Sequence, residues 1–475
     1  MPLDNDPEAQ LDPPKPEDQV AHKLMRKIER LAKRLITVDF EGADGLWGFQ
    51  RDLLALQWEI QKQIRAEKQE VRIRKKDSEA LTSLKWARWQ SRRLGDSFAW
   101  VILGMDRKLL YALSENAPVP VSQEGHGSRG LLAVSEYLAG QGWGFPLIHD
   151  ITDTLRIGDV TFVRFEGESR SVCTVEVKTR SLGPDSDEEG SALWKYQVAI
   201  SFMESRDAEL NITVKVPSES EQRPGRPDRR ISRQSKRMAK AITWQQAEGR
   251  KIVDIDGRPT LTASLESSSS SKWKMLRRVI RKSRTDGYAS EFIDGAFMIA
   301  AFYENYGITA ETVRDDRIRK DMEAFAKLNQ SNFSNTLEIA SIPTDVTRGA
   351  QLFRPYYLYP IPQRAIFDLL YGRLAIIVGV NAGGIAGALK DHGHNVQISE
   401  ETTPPSRAII LSDVVAIEGQ PYRVELHDLG VPIQEAIYEF KGVEFVAEFT
   451  DSIRDHHDLM MEHITTASQS ELEGQ

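Results

Sequence analysis

The sequence predicts a mixed α/β protein with more than one domain. The chain has 475 residues, whereas a single domain usually holds roughly 100–200. Apolar residues recur every three or four positions through much of residues 18–115, which is typical of helices that bury one face. From residue 145 onward, runs rich in Val, Ile, Thr and Phe favour strands instead.

The first part of the chain is predicted to be a helical region, residues 18–115, after an acidic, Pro-rich leader, residues 1–17, that we expect to be disordered. Four apolar residues show the helical spacing: Leu53, Leu56, Ile60 and Ile64. Five tryptophans are expected in the core of this region: Trp47, Trp58, Trp86, Trp89 and Trp100. The leader lacks the basic start and the apolar run of a secretory signal.

Composition narrows the class of protein further. The net charge of −8 argues against a uniformly basic surface, although Lys and Arg gather in internal segments. The single cysteine, Cys173, excludes an intramolecular disulfide framework. The longest apolar runs, such as residues 374–380, are too short to span a bilayer. We therefore expect a cytoplasmic protein that does not enter a membrane.

Residues 116–306 are predicted to form a second domain, in which one helix precedes a set of strands. The helix covers residues 128–140 and stops at Gly140 and Gly142. Strands and a hairpin are expected at 145–152, 156–165, 171–179, and 193–203 with 211–216. The remaining expectations are a loop at 181–191, a charged loop at 217–228, a basic helix at 229–247, and a helix at 272–306 with a basic start and an apolar end.

Three charged residues on two neighbouring predicted strands carry the chemistry. Side chains alternate in direction along a strand, so Glu176 and Lys178 point to one side while their valine neighbours point into a core. Asp159 lies on the preceding strand, and one turn brings it beside Glu176. Carboxylate oxygens suit Mg²⁺ or Mn²⁺, and such a metal activates water and stabilises charge on a phosphate. We predict a metal site here, with Lys178 beside the attacking water and the Val177 carbonyl as a further ligand.

At these residues the chain resembles the PD-(D/E)XK nuclease superfamily, whose pattern is an Asp followed at a distance by Glu-x-Lys. The resemblance implies a restriction-endonuclease-like core, with a mixed sheet flanked by helices, that hydrolyses phosphodiester bonds. It also implies that Asp159 and Glu176 bind the metal and that Lys178 assists the attacking water. Gly158 stands where the family usually has Pro. The resemblance covers residues 128–180 and extends less completely to residue 247.

Two further site positions come from the resemblance. Some members add a Glu from the first helix, and Glu136 is the candidate in this chain. Others add a Gln from the helix after the Glu-x-Lys strand. Gln234 fits if residues 181–228 are an insertion in the core, and Gln197 fits if they are not. Three other polar residues are interpreted as turn or structural groups rather than as ligands or a base: His149, Asp150 and Asp153.

Basic residues gather in three stretches, residues 62–93, 223–251 and 272–284. Arg and Lys neutralise phosphates, and Trp273 within the last stretch is suited to stack on a base. The alternative is a solvated helix face, or a face packed on an acidic domain. The cations predicted to contact nucleic acid are Arg229, Arg230, Arg233, Lys236, Arg237, Lys272, Arg277 and Arg278.

Residues 307–465 are predicted to form a C-terminal α/β domain, followed by a polar tail at 466–475. Residues 374–400 have the order strand, Gly-rich turn, helix, strand and terminal acid, which is similar to a dinucleotide-binding fingerprint. Asn381 replaces the second glycine of that fingerprint, and Glu400 stands where the ribose-binding acid sits. The alternative is a tight strand-to-helix turn in a small α/β domain.

Together these features predict a metal-dependent endonuclease that hydrolyses DNA with Mg²⁺ or Mn²⁺. The large accessory regions fit an enzyme of bacterial restriction or phage defence, by family analogy alone. DNA is the expected partner, with RNA as the alternative, and a homodimer or a defence-system partner protein is compatible with the chain. Two other classes stay open: a catalytically inactive nuclease-fold binding module, and a nucleotide- or flavin-binding enzyme that uses Gly379–Glu400.

Overall fold

The computed structural model describes most of the chain between residues 18 and 454. The described ranges are residues 18–37, 42–74, 78–114, 126–166, 169–186, 192–203, 211–214, 251–255, 258–262, 270–303, 316–327, 337–342, 353–398, 409–417, 420–426 and 430–454. The chain divides into two compact units, Met1–Glu248 and Gly249–Gln475. Within the described ranges, no helix combines the length and the hydropathy needed to cross a membrane.

Helices open the first unit, and capping side chains fix where several of them begin. The helices are α1 (Gln19–Ile36), α2 (Gly42–Arg74), α3 (Glu79–Ile102) and α4 (Arg107–Leu113). Asp18, Ser78 and Asp106 accept hydrogen bonds from backbone N–H groups in the first turns of α1, α3 and α4, which a helix start leaves without partners. Of the tryptophans expected in the core, three are buried, namely Trp86, Trp89 and Trp100. The other two, Trp47 and Trp58, are partly buried. Helices therefore occupy the region where the amphipathic spacing predicts them.

An antiparallel sheet with one preceding helix completes the described part of this unit. The elements are α5 (His126–Gly140), β1 (Phe145–Ile148), β2 (Val160–Glu166), β3 (Ser169–Ser186), β4 (Ala192–Met203) and β5 (Asn211–Val214). Strands that follow each other in sequence are neighbours in the sheet, in the order β1-β2-β3-β4-β5. The hairpin expected at 193–203 and 211–216 is present as β4 and β5. The unit thus combines helices with a sheet, in agreement with the predicted α/β class.

The strands differ from the predicted ones in extent and in direction. β1 ends at Ile148, since residues 149–151 turn away as a short 3-10 helix. β3 extends to Ser186, so part of the loop predicted at 181–191 is strand. No mixed sheet occurs within the described residues, because every strand pair there is antiparallel. Only residues 187–191 separate β3 from β4, too few for the crossover that parallel neighbours need.

The core of the first unit includes a cluster between α5 and one face of the sheet. Its buried members are Leu131, Val134, Leu138, Ile148, Val160, Phe162, Val175 and Val177. Burying an aliphatic side chain of this size contributes roughly 1.5–3 kcal/mol relative to leaving it exposed. Since residues alternate along a strand, α5 covers the face that carries Val175 and Val177, and positions 176 and 178 belong to the opposite face.

The outer edge of the sheet at β1 is covered by α2. Gln50 of α2 is fully buried, and its Nε2 donates to the Pro146 carbonyl at 2.7 Å. Its Oε1 accepts from the Ile148 N–H at 2.9 Å. A strand edge presents amides and carbonyls without partners, and this glutamine satisfies one of each. The helices and the sheet of the first unit are joined by these bonds.

The second unit alternates helices with antiparallel strands. Its helices are α6 (Trp273–Asp286), α7 (Asp316–Lys327), α8 (Gln363–Leu370), α9 (Ala382–Asp391), α10 (Gly430–Tyr438) and α11 (Val443–Arg454). Its strands are β6 (Lys251–Ile255), β7 (Arg258–Thr262), β8 (Tyr288–Ile293), β9 (Phe297–Tyr303), β10 (Leu337–Ile342), β11 (Leu374–Asn381), β12 (Val396–Ile398), β13 (Ile409–Ile417) and β14 (Gln420–Leu426). Over the described ranges these strands form a β6-β7 hairpin, a β10-β11-β9-β8 sheet and a β12-β13-β14 sheet.

The boundary between the units differs from the one predicted between residues 306 and 307. β9 pairs with β11 along its whole length, so residues on both sides of that boundary share one sheet. The prediction of a single helix over residues 272–306 is wrong. The basic start of this segment forms α6, whereas its apolar end forms β8 and β9. A short apolar run is compatible with a buried helix or a central strand, and periodicity alone does not separate them.

Candidate functional site

Asp159 lies in the turn that leads into β2, and several hydrogen bonds hold it there. Its backbone N–H donates to the Val175 carbonyl at 2.8 Å, and its own carbonyl accepts from the His149 N–H at 3.0 Å. Its side-chain Oδ2 accepts from the N–H of Val177 at 2.7 Å. The partly buried carboxylate therefore lies against β3 at the central residue of the Glu-x-Lys motif.

Asp159 lies beside the Glu-x-Lys segment of β3. The paired register of β2 and β3 ends with Val160 opposite Val175, and Asp159, one residue before β2, bonds to the backbone of β3 at Val175 and Val177, the residues on either side of Glu176. Lys178 follows two residues later and shares the face of position 176. This face is opposite to the one that α5 covers. The side chains of positions 176 and 178 lie outside the described part of the structure, and the juxtaposition is one of backbone positions.

Gly158 sets the angle at which the chain enters Asp159. Its φ of +75° lies in the region that side chains disfavour, and a Cβ there would come within 2.5 Å of Thr174 Cγ2. Proline fixes φ at about −65°, so the Pro of the family motif does not fit this position. The departure of this chain from the motif has a conformational cause.

The oxygen atoms that the sequence supplies at these positions are of the kind that a hard divalent cation prefers. Asp159 brings a carboxylate, and the sequence supplies a second at position 176. The N–H and C=O of one strand residue point to the same neighbour, so the Val177 carbonyl is directed to the Asp159 side rather than to β4. Mg²⁺ and Mn²⁺ favour such oxygens and keep several water ligands. Among the described side chains, which exclude Glu176, no three His, Cys, Asp or Glu residues group into a metal site.

Glu136, the ligand candidate from the first helix, lies elsewhere. Its exposed carboxylate on α5 accepts a hydrogen bond from Trp47 Nε1 at 3.3 Å and lies 3.7 Å from Arg51 Nη1. Both partners belong to α2. Since α5 covers the valine face of β3, Glu136 lies on the other side of the sheet from positions 176 and 178.

The glutamine candidates have different outcomes. Gln197 lies on β4, opposite Arg180, rather than on a helix. Alternation along the paired strands puts it on the same face as Glu176 and Lys178, before the register shifts beyond residue 181. Gln234 lies outside the described residues, as do the predicted nucleic-acid contacts at Arg229, Arg230, Arg233, Lys236 and Arg237.

Two threonines that sequence interpretation missed join His149 in a buried chain. His149 is 3% exposed, and its Nδ1 lies 3.1 Å from the Gly158 carbonyl oxygen while its Nε2 lies 2.8 Å from Thr161 Oγ1. Thr161 and Thr174 stand opposite each other, with their hydroxyls 3.0 Å apart. Burial lowers the pKa of His149 from its usual 6.5 to about 3, so the ring is neutral at physiological pH. The pattern of the two strands gives no clear signal for this chain, since polar residues are frequent in both.

A buried ionic network joins α3 to the residues between β1 and β2. Asp96 of α3 is fully buried, and its Oδ1 accepts from the N–H of Asp153 at 2.8 Å and the N–H of Thr154 at 2.9 Å. Arg92 donates to Asp153 Oδ1 at 2.9 Å and to the Asp150 carbonyl. Burial raises the pKa of Asp96, and the neighbouring Asp153 carboxylate raises it further. These contacts agree with the interpretation of Asp150 and Asp153 as supporting groups.

The described cations predicted to bind nucleic acid lie on or beside α6 in the second unit. Arg278 forms an exposed ion pair with Glu291, which raises the pKa of Arg278, and Arg277 Nε donates to the Pro360 carbonyl at 2.6 Å. Lys272 is the residue before the first turn of α6. Trp273, expected to stack on a base, instead packs among the rings of Tyr359 and Phe440, with the Arg354 guanidinium over it.

The Gly-rich segment of the second unit forms the predicted strand, helix and strand as β11, α9 and β12. Asn381 caps α9, because its Oδ1 accepts from the N–H groups of Gly383 at 3.0 Å and Gly384 at 3.4 Å. These are the amides that a pyrophosphate would need. β12 pairs with β13 in another sheet rather than lying parallel to β11, unlike a dinucleotide-binding fold. Glu400 lies outside the described residues.

Comparison with known proteins yields no relative. No family model matches the chain, and no curated protein and no solved structure matches it. The chemistry at Asp159 is therefore inferred from the residues and their geometry.

Proposed function

We propose that the chain is a metal-dependent phosphodiesterase with a restriction-endonuclease-like site, which hydrolyses DNA. The observation that carries the proposal is the bond from the Val177 N–H to Asp159 Oδ2, at 2.7 Å. It joins Asp159, in the turn before β2, to the central residue of the Glu-x-Lys motif in β3. The bond from the Asp159 N–H to the Val175 carbonyl, at 2.8 Å, supports the same proximity.

In this proposal each residue has a distinct task. Asp159, Glu176 and the Val177 carbonyl would hold Mg²⁺ or Mn²⁺, which would supply Lewis-acid activation of water and neutralise charge on the phosphate. Lys178 orients the attacking water and stabilises the charge that develops on the phosphoryl oxygens. Attack on phosphorus forms one P–O bond as the bond to the leaving oxygen breaks. Gln197 is kept as the candidate glutamine of the site, since alternation along β4 puts its position on the face of positions 176 and 178.

The substrate class and the biological setting follow by analogy with the resembled family. DNA is the proposed substrate, and RNA is the alternative that a direct comparison of cleavage separates. Restriction or phage defence in bacteria, with control by a partner protein or by dimerisation, is the proposed setting.

The sharpest test replaces Asp159 by Asn. The Asn carbonyl still accepts from the Val177 N–H, so the local fold is retained while the negative charge is lost. We expect plasmid cleavage in Mg²⁺ or Mn²⁺ to fall by about 100-fold or more in Asp159→Asn and Lys178→Ala, as for loss of a charge-stabilising group. Asp391→Asn and Lys320→Ala, which change the same residue types at exposed positions, serve as matched controls. Equal cleavage by all variants would assign the activity to another site or to a contaminant.

An inactive binding module is the second candidate, and one contact favours it. Because Asp159 Oδ2 already accepts a backbone N–H, this residue has a structural task that needs no metal. In that case wild-type protein binds DNA without cutting it. Calorimetric titration with Mn²⁺ then gives the same result for wild-type protein and for Asp159→Asn. The proposed enzyme shows both metal binding and cleavage, and Asp159→Asn weakens both.

A further inference from the structure

His149 touches the turn of Asp159 at two consecutive carbonyls. Its backbone N–H donates to the Asp159 carbonyl at 3.0 Å, and its ring Nδ1 lies 3.1 Å from the carbonyl oxygen of Gly158. An apolar side chain of similar size would leave the buried Gly158 carbonyl without this partner. One residue thus fixes the backbone from which the carboxylate projects.

The partners of the ring determine which nitrogen of His149 carries the hydrogen. A carbonyl oxygen only accepts, so Nδ1 bears the hydrogen that is donated to Gly158. Nε2 then accepts from the Thr161 hydroxyl at 2.8 Å, and Thr161 Oγ1 accepts from the Thr174 hydroxyl at 3.0 Å. Donation therefore runs in one direction, from β3 through the ring to the turn before β2.

The backbone around His149 is fixed from the helical side. Gln57 of α2 donates to the Ile151 carbonyl at 2.9 Å, and Asp96 of α3 accepts from the Thr154 N–H at 2.9 Å. α3 approaches so closely that a Cβ on Gly95 would lie 1.8 Å from the Ile151 carbonyl oxygen. A group that supports a metal ligand needs such rigid anchoring, since its own motion is passed to the ligand.

We propose that His149 is the positioning residue of the Asp159 carboxylate, acting through the Gly158 carbonyl without contacting metal or substrate. This role rests on the metal site proposed above and adds a residue to it. Val177 reports the effect directly, because its N–H is bound by Asp159 Oδ2 at 2.7 Å. Displacement of the carboxylate opens that bond and speeds exchange of the Val177 amide hydrogen.

Two substitutions of His149 separate this role from a general need for a polar core residue. His149→Asn places an amide N–H near the former Nδ1 and keeps the bond to Gly158. His149→Gln places its amide near the former Nε2 and keeps only the Thr161 partner. We expect Val177 exchange in the metal-free protein to stay near the wild-type rate in the Asn variant and to rise at least about tenfold in the Gln variant. Mn²⁺ affinity and plasmid cleavage should follow the same order, with a loss of about 10- to 100-fold for Gln.

The outcomes distinguish this inference from the proposed function. Wild-type protein that neither binds Mn²⁺ nor cuts DNA removes the proposed function. Wild-type protein that does both, with Asn and Gln variants equal in Val177 exchange and in Mn²⁺ affinity, overturns the role of His149 alone. If the Gln variant does not fold, Thr161→Val replaces it, because loss of that hydroxyl frees the ring to turn away from Gly158. Wild-type Val177 exchange in Thr161→Val would then overturn the role.

Discussion

Asp159 and Asn381 occupy similar places in the two units, and their surroundings lead to different interpretations. Each lies at a strand end and accepts a backbone N–H through its side chain, Asp159 from Val177 and Asn381 from Gly383 and Gly384. Asn381 is 1% exposed and also donates through Nδ2 to a carbonyl of α7, at 3.2 Å. Asp159 is a carboxylate, is partly exposed, and bonds to the backbone of β3 at Val175 and Val177, on either side of a second acidic position.

Both segments are predicted binding sites, a metal site at Asp159 and a dinucleotide site at Gly379–Glu400, but their surroundings differ. At Asn381 the helix N-terminus is capped by the chain itself, so the Gly-rich segment serves the structure. At Asp159 the side chain adds negative charge next to a Glu-x-Lys pair, which favours a cation. The Asn381 side chain therefore has its amide oxygen and nitrogen bonded within the protein, whereas Asp159 bonds to the Val177 N–H and also brings a charge.

The largest expected change in stability comes from replacing Gly158, the residue before Asp159. Gly158→Ala puts a Cβ 2.5 Å from Thr174 Cγ2 at a φ of +75°, and we expect a loss of about 2–3 kcal/mol in the free energy of unfolding. A Cβ on Gly387, in α9 of the Gly-rich segment, would meet no atom within 4 Å, so Gly387→Ala should stabilise by about 0.4–1 kcal/mol. Urea unfolding measures both. Equal effects would contradict the different roles given to the two regions.

A smaller loss of stability is expected when Asn381 is replaced by Asp, the residue type at position 159. Asn381→Asp keeps the cap on Gly383 and Gly384 but loses the donor to the Phe325 carbonyl and buries a charge. We expect a destabilisation of about 2 kcal/mol in urea unfolding, without change in plasmid cleavage. Asn381→Ser, which keeps an N-cap oxygen, is the control and should lose less. A drop in cleavage in folded Asn381→Asp protein would give this segment a functional role.

Acid titration of the metal-free protein tests whether His149 is buried and neutral. The loss in the free energy of unfolding that His149 causes grows as the pH falls. The pKa of His149 is about 3 in the folded protein, through burial and then the Arg156 charge, against the usual 6.5. Protons therefore favour the unfolded state, and stability present above pH 6.5 is lost as the pH falls. At pH 5 the loss is about 2 kcal/mol. In His149→Asn this part of the pH dependence should vanish, and an unchanged slope between pH 6.5 and 5 would contradict a buried, neutral ring.

Sequence patterns predicted the elements whose signals are local. The helical spacing around Leu53 and Ile60 corresponds to α2, the hairpin of β4 and β5 is where alternation placed it, and the segment after Leu374 forms a strand and a helix. The pairing of Asp159 with the Glu-x-Lys strand follows from one turn and the alternation of residues. In the helix and hairpin cases neighbours in sequence determine the structure, whereas the bond that holds Asp159, from the Val177 N–H to its side chain, was not predicted.

Contacts between distant residues escaped prediction. Gln50 bonds to Pro146 and Ile148, and nothing in its local pattern indicates a buried strand-edge partner. The pairing of β9 with β11 could not be predicted from the sequence either, because an apolar run fits a helix as well as a central strand. The position of Glu136 depended on which face of the sheet α5 covers, which a family pattern alone does not determine for this chain.

Anomalous diffraction from crystals soaked in Mn²⁺ tests the central claim most directly, because it locates the metal itself. We expect one strong peak within coordination distance of an Asp159 carboxylate oxygen and of position 176, which is absent from Asp159→Asn crystals. A wild-type crystal with Mn²⁺ bound elsewhere, or with no peak at Asp159 at saturating metal, would contradict the account.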